Sequence, residues 1–260
     1  MGPAADRTDR RDYATSARPV APMRRDYPAG HIVAMHRHDR DQLVYCASGI
    51  MQVETSGRLW MAPPQRALWI PAGEDHWMQT MGPVSLCTLY LRPDARPAGF
   101  PDIPQAIEVT ALLRELILSA AGISADYDET GRDGRLLALL LEEIAWAPDR
   151  ALPVPRGRDR RLDRICRAIV AEPGDNRSLE EWALQVGAST RTLARLFQAE
   201  LGQSFHAWRA MVRAQAALPR LAAGDPVTVI AGDLGYETPG AFSTMFRRFM
   251  GRSPSRYFAG

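Results

Sequence analysis

Between Leu179 and Gly251 one pattern occurs twice: an apolar half-helix, a Gly-containing turn, and a second helix closed by Gly. In the first copy Leu179, Trp182, Ala183 and Val186 precede Gly187, and Leu193 and Phe197 follow before Gly202. In the second, Val227, Ile230, Ala231 and Leu234 precede Gly235, one extra turn residue intervenes, and Phe242 and Phe246 follow before Gly251. Spacings of three and four keep these residues on one helical face. Gly187 and Gly235 fall where a sharp turn needs positive φ, and Ser189 and Thr238 fall where a side-chain oxygen can cap the next helix. Each copy therefore reads as a helix-turn-helix.

Two short helices cannot bury their apolar faces alone, so the copies need a shared core. Phe205 to Ala223 supplies a candidate scaffold helix carrying Trp208, Met211, Val212, Ala216 and Leu221. Its length is about 28 Å at ~1.5 Å per residue, somewhat under the ~34 Å between successive major-groove faces of DNA. Pro219 is expected to kink or end this helix, which leaves the spacing of the two copies open.

Charge is distributed unevenly. The net charge of +2 over 260 residues divides into +6 from Ala151 onward (16 Arg against 10 acidic residues) and −4 before it. The basic surplus lies with the repeat, as binding to a polyanion requires. Every basic residue is Arg; because the acidic half also uses only Arg, base composition of the gene explains that better than phosphate recognition does. No stretch approaches the ~20 apolar residues of a membrane span, and the Arg/Asp-rich start does not resemble a signal peptide, so a cytoplasmic location is expected. Cys46, Cys87 and Cys166 are odd in number and far apart, which argues against a disulfide framework and a thiolate zinc site.

Upstream of the repeat the texture changes. Residues 1–23 show no apolar period and read as a flexible arm. From His31, short alternating runs (Ile32 to Met35, Gln42 to Ala47, Met51 to Thr55, Leu59 to Met61, Ala67 to Ile70, Ser85 to Leu91) are separated by Gly and Pro. They predict a small β-barrel or sandwich over 24–100. Over 101–147 the pattern becomes helical, with Val109, Leu112, Leu113, Leu116 and Ile117, then Leu136, Leu137, Leu140, Leu141 and Ile144. This helical pair would pack on the barrel, on a second copy, or on both. Residues 148–157, rich in Pro, read as a linker, and 158–260 form the repeat domain.

On these motifs, with the closing Gly251-x-Ser253-Pro254-x-x-Tyr257, the last hundred residues resemble the DNA-binding domain of AraC/XylS-family transcription regulators. The resemblance implies an operator-binding double helix-turn-helix. It places Ser189, Thr190, Arg191, Ala194 and Arg195 at the DNA in the first module, and Thr238, Gly240, Ser243, Thr244, Arg247 and Arg248 in the second. Arg191 and Arg195 lie four apart, where either can fork onto guanine or instead form a surface ion pair. Pro239, Gly240, Ser243 and Thr244 have little reach, so the second module is expected to contact mainly the DNA backbone through Arg247 and Arg248.

A second resemblance covers His31 to Leu91. Gly30-x5-His36-x-His38-x3-Gln42-x6-Gly49 and Pro71-x-Gly73-x2-His76 are similar to the two cupin motifs, with Gln42 where metal-binding cupins usually have Glu. The resemblance implies that His36, His38, Gln42 and His76 converge inside the barrel as candidate ligands for zinc, nickel, iron or copper. Strand alternation would let His36 and His38 both point inward. An alternative is a metal-free pocket for a small organic effector, lined by some of Tyr45, Trp60, Trp69 and Trp77; as bulky aromatics these also suit plain core.

The fold class expected is thus α+β multidomain: a cupin-like barrel with flanking helices, then an all-α double helix-turn-helix. The function expected is that of a sequence-specific transcription regulator, not an enzyme. Its partners would be duplex DNA, a small-molecule or metal effector, a second copy of the chain, and RNA polymerase if it activates. The alternative is a metal-dependent cupin enzyme fused to a DNA-binding module, for which no acid–base pair is evident.

Overall fold

Period-two alternation builds the first part of the chain. The computed structural model describes residues 16–124, 126–146, 154–155 and 157–258. The chain divides into two units, residues 1–56 with 60–149 and residues 57–59 with 150–260. In the first lie β1 (Val20–Tyr27), β2 (Ile32–His36), β3 (Asp41–Ser48), β4 (Met51–Thr55), β5 (Arg58–Ala62, its first two residues counted with the second unit), β6 (Arg66–Ile70), β7 (His76–Thr80), β8 (Val84–Leu91), β9 (Gln105–Glu108) and β10 (Ala145–Trp146). They form two sheets, one ordered β1-β8-β3-β6-β9-β10 and the other carrying β5-β4-β7-β2. The recorded pairings are antiparallel.

Two helices, α1 (Ala111–Ala120) and α2 (Arg132–Glu142), cover one face of the first sheet. Leu43, Tyr45, Trp69, Cys87, Leu89 and Ile107 pack there against Leu113, Ile117, Leu137 and Leu140. Thr110 caps α1 by accepting from the Leu113 N–H at 3.1 Å. The apolar stripes seen in the sequence are therefore buried largely on the chain's own sheet, although Leu112 and Leu139 remain exposed.

Several boundaries differ from expectation. β1 begins inside the stretch read as an arm, because Val20 and Ala21 are buried and pair with β8; residues 1–15 lie outside the described residues. The helical region opens with β9, which pairs with β6, before α1 begins. Most of the expected linker, 148–153 and 156, also lies outside the described residues. Val154 and Pro155 form a short strand, β11, within the second unit, paired with Leu59 and Arg58, and Val154 is buried.

The second unit is helical: α3 (Arg160–Ala171), α4 (Leu179–Val186), α5 (Thr190–Leu201), α6 (Phe205–Ala222), α7 (Val227–Asp233), α8 (Pro239–Met250) and α9 (Pro254–Tyr257). The first copy buries Trp182, Leu193 and Phe197 against Leu162, Ile165, Phe205 and Trp208. In the second, the Phe242 and Phe246 rings meet tilted at 5.7 Å, and the Phe246 and Tyr257 rings meet edge to face at 5.4 Å. Ser178 and Glu181 make a reciprocal cap at the start of α4, satisfying two of its free N–H groups.

Gly187 and Gly235 adopt φ of +66° and +75°, as the turns require. Only Gly235 is also a close approach, since a Cβ there would stand 2.7 Å from the Asn176 side chain. Pro219 does not end α6, which runs three residues further to Ala222. So near a helix end Pro removes one backbone bond, while the buried Ala217 and Leu218 keep that turn packed. The 18-residue helix is about 27 Å long.

Candidate functional site

Two constellations carry chemistry, one in each unit. In the first, β2, β4 and β7 lie side by side, with His36 opposite His76 and Thr55 opposite His76 across the sheet. Residues directly opposite share a face, so Thr55, His76 and His36 make one row. His38 joins from just beyond the end of β2 rather than from the strand itself, and a register irregularity between Val33 and His36 turns the chain there. The ligand atoms of His36, His38 and His76 lie within 4.8 Å of one another.

Each imidazole is oriented by a backbone carbonyl. His36 Nδ1 faces Ala34 O at 2.8 Å, His38 Nδ1 faces Arg40 O at 2.5 Å, and His76 Nδ1 faces Glu74 O at 2.9 Å. A carbonyl only accepts, so each Nδ1 carries a proton, and Nε2 is the nitrogen left to bind a ligand. Outer-shell carbonyls fix metal-binding histidines in this way. The Nε2 of His76 is buried without a hydrogen-bond partner among the described residues. Burial, then the neighbouring His36, push the His76 pKa down to about 3, and burial also lowers that of His38, so both are neutral near pH 7.

Gln42 completes the cluster. Its Oε1 lies 3.0 Å from His38 Nε2, while its Nε2 donates to Thr88 Oγ1 at 3.0 Å and to the Tyr90 hydroxyl at 3.2 Å. The Thr88 hydroxyl spends its proton on Leu43 O at 2.8 Å. Thr88 can then only accept from Gln42, which fixes the amide with oxygen toward the histidines. Thr88 and Tyr90 alternate on β8, opposite Val44 and Gln42; that alternation was visible in the sequence, but their role in aiming Gln42 was not. Three imidazoles and an amide oxygen suit a borderline divalent transition metal, so the residues present fit one.

The two motifs are also tied together. Gly73 N–H donates to His38 O at 2.8 Å, and Ala72 N–H donates to the carboxylate of buried Asp41 at 2.9 Å. Arg96 forks onto the same carboxylate at 2.6 and 2.9 Å. This holds the turn that feeds His76.

The four candidate aromatics are distributed over different faces. Tyr45 and Trp69 lie in the core between the first sheet and its helices, on the face opposite Gln42. Trp77 is half-buried and alternates with the buried His76 and Met78, and Trp60 is buried with its indole N–H on Thr55 Oγ1 at 2.9 Å. Alternation thus sends Tyr45 and Trp77 away from the histidine face.

In the second unit, Ser189 caps α5 and Thr238 caps α8, accepting from Thr192 N–H at 3.1 Å and Ala241 N–H at 3.2 Å. Along α5, Arg191, Ala194 and Arg195 are exposed and Thr190 is half-buried; Gln198, not singled out before, continues the exposed face one turn on. Along α8, Gly240, Thr244, Arg247 and Arg248 are exposed and Ser243 is half-buried. Among the described residues no ion pair engages Arg191, Arg195, Arg247 or Arg248, which leaves their charges available to phosphate or base edges. Arg248 does lie over the Phe249 ring at 5.9 Å.

Comparison with known proteins agrees with both halves. Residues 182–260 match a helix-turn-helix domain family, and residues 23–147 match the AraC-like ligand binding domain. The HTH-type transcriptional regulator NimR of Escherichia coli is 33% identical over 225 residues, covering 86% of this chain and 82% of that protein. The chain belongs to the AraC family of transcription regulators. Within that family, the HTH-type transcriptional regulator RipA of Corynebacterium glutamicum is 35% identical over 113 residues, 44% of this chain and 33% of RipA. The solved structure of fatty-acid-bound ToxT from Vibrio cholerae covers 92% of this AraC-family chain and 94% of its own, at 12% identity and a TM-score of 0.38. No helix among the described residues is long and apolar enough to cross a membrane.

Proposed function

We propose that this AraC-family regulator holds a divalent transition metal in its ligand-binding domain and reads its operator with two unequal recognition helices. The observation that carries the first part is the convergence of three histidines, each with Nδ1 on a backbone carbonyl and with ligand atoms within 4.8 Å of one another. His36, His38 and His76 would bind through Nε2 and Gln42 through Oε1, and the ion would supply a Lewis-acidic centre in the sensor. Only a difference in affinity between two states of the protein lets such a ligand alter DNA binding.

For the DNA, Arg191 and Arg195 read bases, while Arg247 and Arg248 hold phosphates. The exposed position of all four, and the short side chains at Gly240, Ser243 and Thr244, support this division. The regulator acts as a homodimer, with Leu112 and Leu139 as exposed apolar residues that a second copy would cover. As an activator it would contact RNA polymerase as well.

Fluorescence anisotropy on the DNA upstream of this gene, with chelator-stripped and zinc-loaded protein, tests the whole reading. The expected result is specific binding whose affinity changes with metal in the wild type and not in His36→Ala/His38→Ala. Binding that ignores metal in both proteins refutes the metal-sensing part, and failure to prefer any upstream sequence refutes the division between base-reading and phosphate-holding arginines.

A further inference from the structure

His38 and Gln42 present two ligand atoms side by side. His38 Nδ1 sits 2.5 Å from Arg40 O, which leaves Nε2 to face the cluster. That Nε2 lies 3.0 Å from Gln42 Oε1, and Thr88 prevents the amide from turning its NH2 inward. The spacing is close to the ~3.0 Å between adjacent ligands about 2.1 Å from an octahedrally coordinated cation. A cation between them would be held by both.

Nothing in the cluster neutralises that charge. The ligand atoms that converge come from His36, His38 and His76, and the fourth donor is an uncharged amide. Asp39, whose charge acts on His38, is exposed and outside the cluster. Gln42, His38 and His76 are buried, so a divalent ion held there would keep both its charges in a poorly solvated place. His36 is half-buried, which leaves that side of the cluster open to solvent. Thr55, opposite His76, accepts from the Trp60 indole through its oxygen and keeps its own proton for another acceptor.

We infer that the metal-bearing site takes a small anion, such as a carboxylate, as its effector, entering beside His36 and bound to the metal with Thr55 donating to it. Gln42 is the residue that sets this preference, because a carboxylate at that position would supply the negative charge internally. The inference rests on the metal reading above.

The test uses the full-length protein, stripped with chelator and reconstituted with Co(II), whose visible absorption reports ligand changes. Sodium acetate and sodium azide are titrated against sodium perchlorate at equal ionic strength. Saturable spectral change with acetate or azide, and none with perchlorate, is expected of the wild type. Gln42→Glu is expected to keep Co(II) and to bind either anion about tenfold more weakly, since a like charge at contact distance disfavours it. Thr55→Val is expected to keep Co(II) and lose part of the acetate affinity. Uptake of Co(II) with a spectrum indifferent to all three salts overturns this inference and leaves the metal reading standing; no uptake overturns both. Unchanged anion affinity in a metal-loaded Gln42→Glu also overturns it, and the wild-type titration decides alone if that variant does not fold.

Discussion

Arg213→Ala should loosen the second unit more than any change at its surface. Arg213 lies on α6 at 5% exposure, with its Nε donating to Pro173 O at 2.9 Å and its Nη2 to Asp175 O at 3.0 Å and Asn176 Oδ1 at 2.8 Å. Its guanidinium also lies 5.3 Å from the Tyr236 ring. One side chain thus ties the loop before the first helix-turn-helix and the turn of the second to the helix between them. Each bond from a charged donor is worth about 1.5 kcal/mol net at the low end, and the ring contact about 0.5 kcal/mol. Partial access of water to the three acceptors offsets some of the loss, so the cost is about 2–4 kcal/mol. Urea unfolding of the full chain followed by tryptophan fluorescence is the assay. The transition to follow is the one that added duplex DNA moves upward, because two units need not unfold together. With a slope of about 2 kcal/mol per M, that midpoint should fall by about 1–2 M. Arg213→Lys should recover at most about a third, since an ammonium cannot make the same fork. A midpoint shift below about 0.3 M for the alanine variant would refute the assignment of Arg213 as the tie between the modules.

Other expectations follow from single residues. Gly235→Ala combines positive φ with a Cβ against Asn176 and should cost about 2–3 kcal/mol, against about 1 kcal/mol for Gly187→Ala, where a Cβ meets nothing within 4 Å; equal midpoints in urea would contradict this. Arg195→Ala should erase discrimination between operator and scrambled DNA, whereas Arg247→Ala should weaken both alike and reduce the salt slope by about one; anisotropy at several salt concentrations separates the two outcomes. Metal-stripped protein should lose stability as pH falls below 6.5, because the unfolded chain takes up a proton that folded His76 refuses until about pH 3. That loss reaches about 2 kcal/mol by pH 5 from His76 alone and should shrink in His76→Gln, as thermal melts across this range would show. Cys46, buried and with its thiol pushed up to about 12, should not react with a thiol reagent until the protein unfolds.

The helical half was legible because its signals are local. Gly187, Gly235, Ser189 and Thr238 each do in the structure what their chemistry dictates at a turn or cap, and the neighbouring apolar spacing needs no distant partner. The β half was legible where alternation was clean, as in Met51 to Thr55, and not where side-chain chemistry obscured it. β1 begins at Val20, inside an Arg- and Pro-containing stretch with no clean alternation, and β9 has only four residues after a Pro-rich stretch. The histidines were picked out through the resemblance to the cupin motifs, and the same parity rule separates one of the candidate aromatics from them. With Gln42 facing the histidines, Tyr45 three residues on must face away. Thr88 and Tyr90 escaped notice because what they do, aiming an amide, depends on a partner strand's register rather than on any motif.

The central claim is that a metal sits among His36, His38, Gln42 and His76. Calorimetric titration of untagged, chelator-stripped, full-length protein with Zn(II) tests it most directly. A stoichiometry near one per chain, with neither His38 nor His76 releasing a proton because both are already neutral, is the result expected, and His38→Ala/His76→Ala should abolish it. A wild type that binds no zinc, or a double variant that binds it as tightly, would contradict the account.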